Sequence, residues 1–167
     1  MHSKYYYLVA SLPYLKFGDG PPISRELFIS ECEKWLMPED MGIVTAANLW
    51  RGEAAEKGAA VLAEWNDFNE GKRKEEARIR AAKKAKVQVK IPDSLKSAME
   101  KETPLQIEIA LEKIRWDYLE EKSAGYMFDV NWLALYFLKL QILERLATFD
   151  KDKGESFFYE LCEVKYE

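Results

Sequence analysis

Histidine is nearly absent from this chain of 167 residues; His2 is the only one. Cysteine is almost as scarce, with Cys32 and Cys162 alone. That inventory excludes histidine-based metal clusters, a four-cysteine zinc site and a disulfide framework. A serine or cysteine nucleophile needs a nearby base, usually histidine, and the single histidine sits second in the chain, where termini fray. Long apolar runs are missing too. The longest stretch without a charge is Tyr5–Leu15, interrupted by Pro13, whereas a spanning helix needs about 20 apolar residues. No secretory signal is read, and two distant cysteines make a reduced cytoplasmic location the default. Phosphate-binding glycine loops are also lacking. Gly71-Lys72 is followed by Arg73 rather than a hydroxyl residue, Asn66 holds the earlier glycine position, and Gly18-Asp19-Gly20 is a lone fragment before two prolines. No cofactor, metal or catalytic residue is expected.

What is present is hydrophobic and aromatic: 48% and 13% of the residues, too rich for disorder and enough for one core. The patterning is almost entirely helical. An aromatic segment at 4–11 ends at Pro13, and a Gly/Pro loop covers 18–22. Ser24 reads as an N-cap, with Glu26 in the first turn, for a helix whose apolar stripe is Leu27, Phe28, Cys32, Trp35 and Leu36. Pro38 ends it and opens a short helix carrying Met41, Val44, Ala47 and Leu49. From about Ala59 a long helix bears Val61, Leu62, Trp65 and Phe68. Val87, Val89 and Ile91 then alternate with polar residues, which suits a brief extended segment. Thr103-Pro104-Leu105-Gln106 is a strong helix start, with Ile107, Leu111, Ile114 and Tyr118 on one face and Gly125 as the stop. Asp129 caps a helix over 130–149, expected to be the most buried. Beyond a loop at 150–154, Phe157, Phe158, Leu161 and Cys162 mark a last amphipathic helix. The expected architecture is all-α: one helical domain over 1–167, a multi-helix bundle with a long, partly projecting basic helix and a hinge or arm at 70–92.

The charge layout is the unusual feature. The net charge is −4, but Lys72–Lys90 holds nine basic residues and two acids. That leaves a +7 arm on a −11 body, a dipole able to steer an acidic partner. Past Gly71 the apolar content falls to alanines and Ile79, so this half should project into solvent or onto a partner. Arg73, Arg78, Arg80, Lys83 and Lys84 are the candidate partner-binding residues. No aromatic interleaves them to stack on bases, which ranks protein contact above nucleic acid. Carboxylate pairs such as Glu120–Glu121, Asp67–Glu70 and Glu53–Glu56 read as solvated surface pairs. Lys139, inside an apolar run, reads first as an end-exposed snorkelling lysine and second as a buried pair with a carboxylate of another helix. Tyr5, Tyr6 and Tyr7 read as core or helix-packing residues.

Two segments carry a resemblance. Tyr5-Tyr6-Tyr7-Leu8-Val9-Ala10-Ser11-Leu12-Pro13 resembles the opening of a bacterial family of unknown function, family 2764. Phe128-Asp129 through Tyr136-Phe137-Leu138-Lys139-Leu140-Gln141-Ile142-Leu143-Glu144-Arg145 resembles its closing helix, and Trp65-Asn66-Asp67-Phe68 with Arg73, Arg78 and Arg80 fits more loosely. Members are typically encoded among V-type (A/V-type) ATP synthase subunits. They look distantly similar to the helical socket protein of the V-type ATPase, which joins the rotor shaft to the membrane ring. The resemblance implies a non-catalytic adapter or assembly subunit of that machine, partnered by stalk or rotor subunits, with the central rotor stalk as candidate location. It places the protein in the cytoplasm, peripheral to the inner membrane at most. The alternative is a helical nucleic-acid or ribosome-associated protein using the 72–90 stretch. A carboxylate enzyme ranks third, because no geometry for it is found.

Overall fold

The computed structural model describes residues 5–50 and 60–149, and all regular elements among them are helices: α1 (Tyr6–Ser11), α2 (Arg25–Trp35), α3 (Pro38–Ala46), α4 (Ala60–Ala85), α5 (Asp93–Met99), α6 (Pro104–Ser123) and α7 (Val130–Ala147). His2, Gly52, Gly58, Glu53, Glu56 and the helix expected around Phe157–Cys162 lie outside the described residues.

Local chemistry sets the helix starts. The Ser24 hydroxyl accepts the Leu27 N–H at 3.2 Å. Thr103 and Gln106 close a reciprocal capping box, with Pro104 in the first turn, and Asp129 accepts the Trp132 N–H at 2.9 Å. Pro38 opens α3, where its missing N–H costs nothing. At its C-terminal end α4 closes with Lys86 in the left-handed region (φ 57), where glycine is usual, and the Val87 N–H reaches back to the Ala82 carbonyl at 3.0 Å. The alternating segment beyond it, 87–92, is irregular and forms no strand. Helix α5 carries no sequence signal beyond Pro92-Asp93. It forms because Leu95, Ala98 and Met99 find a place to be buried.

The α7 helix is the centre. Residues 133–143 are buried without a break, and the helix packs against α6, α3 and α2. That confirms the most buried helix read from the pattern. Phe28 of α2 is completely buried, with ring centroids 5.4 Å from Tyr136 and 5.1 Å from Phe137. The α2 stripe is narrower than its spacing suggests: Phe28 and Cys32 are buried, but Leu27 and Trp35 are exposed. Of the three tyrosines, Tyr5 alone is core. Tyr6 rests on Phe128 at 4.8 Å, and Tyr7 is 74% exposed beside Trp35.

A second, smaller apolar cluster joins α4, α5 and α6: Ile79, Leu95, Ala98, Met99 and Leu111. The half of α4 past Gly71 is therefore bare on its outer faces only. Its inner stripe is covered by α5 folding back, a short helix the sequence pattern does not announce.

Candidate partner-binding face

All five candidate residues are exposed, and they play different roles. At 100° per residue, Arg73, Arg80 and Lys84 fall in a sector of about 40° on the flank of α4 that adjoins the buried Asn69 and Glu76. Arg78 lies on another side and donates to the Lys90 carbonyl at 3.1 Å. Lys83 turns inward and donates to the Met99 carbonyl at 3.0 Å, where a cation also suits the C-terminal end of α5. These two staple the end of the arm to the 86–92 connection and to α5. Arg73 leans on Trp50, donating to its carbonyl at 3.4 Å with the guanidinium 5.6 Å from the ring, and Arg80 stands 3.8 Å from Glu76. Lys84 makes no ion pair or hydrogen bond within the described residues. The face left for a partner is the row Arg73, Arg80 and Lys84.

What holds that face in place is a layer of buried polar groups between the two apolar clusters. Along α4 the order is Trp65, Asn69, Glu76, Ile79; along α6, running the other way, it is Leu119, Arg115, Glu112, Leu111. Arg115 donates to Asn69 Oδ1 at 3.0 Å, Glu112 Oε1 at 3.2 Å and Glu76 Oε1 at 3.1 Å. Asn69 donates in turn to the Leu49 carbonyl at 2.5 Å. Arg145 of α7 donates to the same Glu112 oxygen at 2.5 Å and to Glu108 at 3.0 Å. Its guanidinium lies 4.7 Å from the Trp50 ring. Each planar fork satisfies at least two acceptors at once in a fixed geometry, which a lysine's point charge does not match. The apolar stripe predicted for α6 is thereby rotated. Ile107, Ile114 and Tyr118 are half-buried, while Glu112 and Arg115 occupy the inward face. Periodicity sees only apolar residues, so it missed them. The signal available was the spacing of Glu108, Glu112 and Arg115, four and three apart on one helical side.

Glu112 is fully buried and its Oε2 has no hydrogen-bond partner among the described residues. Burial raises its pKa, outweighing the opposite pull of Arg115 and Arg145, and Glu108 adds to the rise. A raised value means that the folded state holds the proton more tightly than the unfolded chain. The stability that proton contributes is complete below the ordinary value of 4.5 and is lost as pH rises through the folded value. Glu112→Gln cannot titrate. The stability difference between wild type and this variant should therefore shift against the wild type as pH rises across that interval. Urea midpoints from pH 4 to 7 measure it, and a pH-independent difference would contradict the assignment.

Lys139 corrects its first reading. It is buried, with 9% of its side chain exposed, and pairs with Glu120 of α6 at 3.1 Å while lying 5.7 Å from the Trp116 ring. Glu120 is thus no free surface carboxylate. Trp116 and Glu120 stand one turn apart on α6 and together receive a lysine that the middle of α7 cannot deliver to solvent. Glu70 pairs with Lys74 on the surface at 2.6 Å, as expected of a solvated carboxylate. Among the described residues, no group of three or more His, Cys, Asp or Glu is placed to hold a metal ion, and no helix is long and apolar enough to cross a membrane.

The fold and this face define an all-α protein with a docked basic helix. Residues 89–165, just under half of the chain, match the model of a family described as "Protein of unknown function (DUF2764)". The matched stretch contains α5, α6 and α7, with Glu112, Arg115, Lys139 and Arg145. It excludes the opening Tyr5–Pro13 string and the row Arg73, Arg80 and Lys84. No curated protein and no solved structure matches the chain.

Proposed function

We propose that the protein is a non-catalytic helical adapter or assembly subunit of a V-type (A/V-type) ATP synthase, docking an acidic surface of a stalk or rotor subunit. The carrying observation is the row Arg73, Arg80 and Lys84, exposed along one flank of α4 next to Asn69 and Glu76, which Arg115 ties to α6. The resemblance to family 2764 supplies the machine; the charge layout supplies the mode of contact. A rigid basic row fixed to an apolar core is suited to orienting an acidic partner and accelerating encounter.

Arg80→Glu/Lys84→Glu changes two exposed side chains and leaves the staples of Arg78 and Lys83 intact. The variant loses the Arg80–Glu76 pair but should keep its helical circular dichroism, and its co-purification with ATP synthase subunits from native membranes should fall about tenfold or more. Unchanged co-purification, or recovery of RNA rather than those subunits with the wild type, sinks the proposal.

A further inference from the structure

The end of the arm holds more than charge. Ile79 and Ala82 of α4, with Val87, Val89 and Ile91 of the connection, floor an open groove of about 390 Å³. Lys83 and Lys96 line its rim, and Lys84, Lys86 and Lys90 stand exposed around the same turn. Residues 77–101 carry eight basic and two acidic side chains, Asp93 and Glu100 being the acids. Val87 is 61% exposed; it is held outward by the left-handed Lys86, which terminates α4 where a glycine would do so with less strain. Lys84, Lys86, Lys90 and Lys96 make no ion pair among the described residues.

We infer that this groove receives an acidic amphipathic helix of another protein, its aliphatic side chains entering over Val87 and Ile91 and its carboxylates meeting the lysine rim. The inference rests on the docking reading above and names the partner's chemistry. Complementary charge argues for an acidic occupant, and an apolar floor argues for one that buries aliphatic groups. Nucleic acid would require aromatic platforms, and no exposed aromatic lines the groove. A membrane surface would require a larger apolar wedge than one exposed valine.

The test uses the full-length protein and two synthetic helical peptides, one of glutamate and leucine with the leucines three and four apart, the other with alanine for leucine. Fluorescence anisotropy should show the leucine peptide binding about tenfold tighter than the alanine peptide, both weakening with salt. Val87→Asp, at an exposed position, should abolish the leucine advantage, and Lys90→Glu/Lys96→Glu should weaken both peptides about tenfold. Circular dichroism of each variant confirms folding. Equal binding of the two peptides, no binding of either, or tighter binding of single-stranded RNA or of phosphatidylcholine–phosphatidylserine vesicles overturns the groove proposal. The broader reading fails separately. If the two peptides bind equally while Arg80→Glu/Lys84→Glu still lowers co-purification, the groove is wrong and the basic row stands.

Discussion

Arg115→Met should destabilise the protein by about 3–5 kcal/mol, a large share of the roughly 5–15 kcal/mol available to a domain of this kind. Arg115 is buried and satisfies three acceptors, Asn69, Glu76 and Glu112, from one guanidinium. Methionine keeps much of the apolar stem and removes every donor. Two carboxylates then lose a cation and an amide oxygen loses its donor, and leaving such groups unpaired in a low-dielectric layer is what makes truncation of a buried network severe. Arg145 still holds Glu112, so the greater damage falls on Glu76 and on the far half of α4. Trypsin should accordingly cut within 72–90 under conditions where the wild type resists. Arg115→Lys restores charge but not the fork, and should recover only part of the loss. A urea midpoint within about 1 kcal/mol of wild type for Arg115→Met would show that α5 packing alone holds the arm.

Periodicity does not reveal such a residue, whereas it reveals much of the fold. Helix starts were legible because capping is local: Ser24, Thr103-Pro104-Gln106 and Asp129 each act within three residues of themselves. The all-α class and the burial of α7 were legible because apolar residues recur there at helical spacing. The missed features are all non-local. Helix α5 is seven residues long and owes its existence to Ile79 and Leu111 on other helices. Lys139 is buried because Glu120 and Trp116 happen to face it. Arg115, Glu112 and Glu76 are charged residues in the interior, the one placement that hydrophobic patterning assigns to the surface. Composition found the basic candidates as a group. It could not tell that Arg73, Arg78 and Lys83 each donate to a backbone carbonyl, while Arg80 and Lys84 make no such bond among the described residues.

Phe28→Ala should destabilise by about 3–5 kcal/mol, the usual range for emptying a fully buried aromatic site. Phe28 is the chief anchor of α2. It stacks on both Tyr136 and Phe137; of the rest of the predicted stripe, Cys32 is buried but small, Leu36 is partly buried, and Leu27 and Trp35 are exposed. Few large side chains are therefore positioned to close the cavity. Cys32, one turn along the same face, reports the consequence. Burial, with Glu31 and Glu33 adding to it, pushes its thiol up to about 12, so in the wild type it is almost wholly protonated at neutral pH and shielded from reagents. In a Cys162→Ser background, Cys32 should react with a thiol reagent only through opening of the fold, and Phe28→Ala should speed that reaction by the same factor by which it lowers stability if opening is global. If α2 peels away alone, the reaction accelerates while the α7 core keeps its urea midpoint. Phe28→Leu, which refills most of the volume, should return Cys32 most of the way to its native protection. Fast labelling of Cys32 in the folded wild type would contradict the burial that both expectations share.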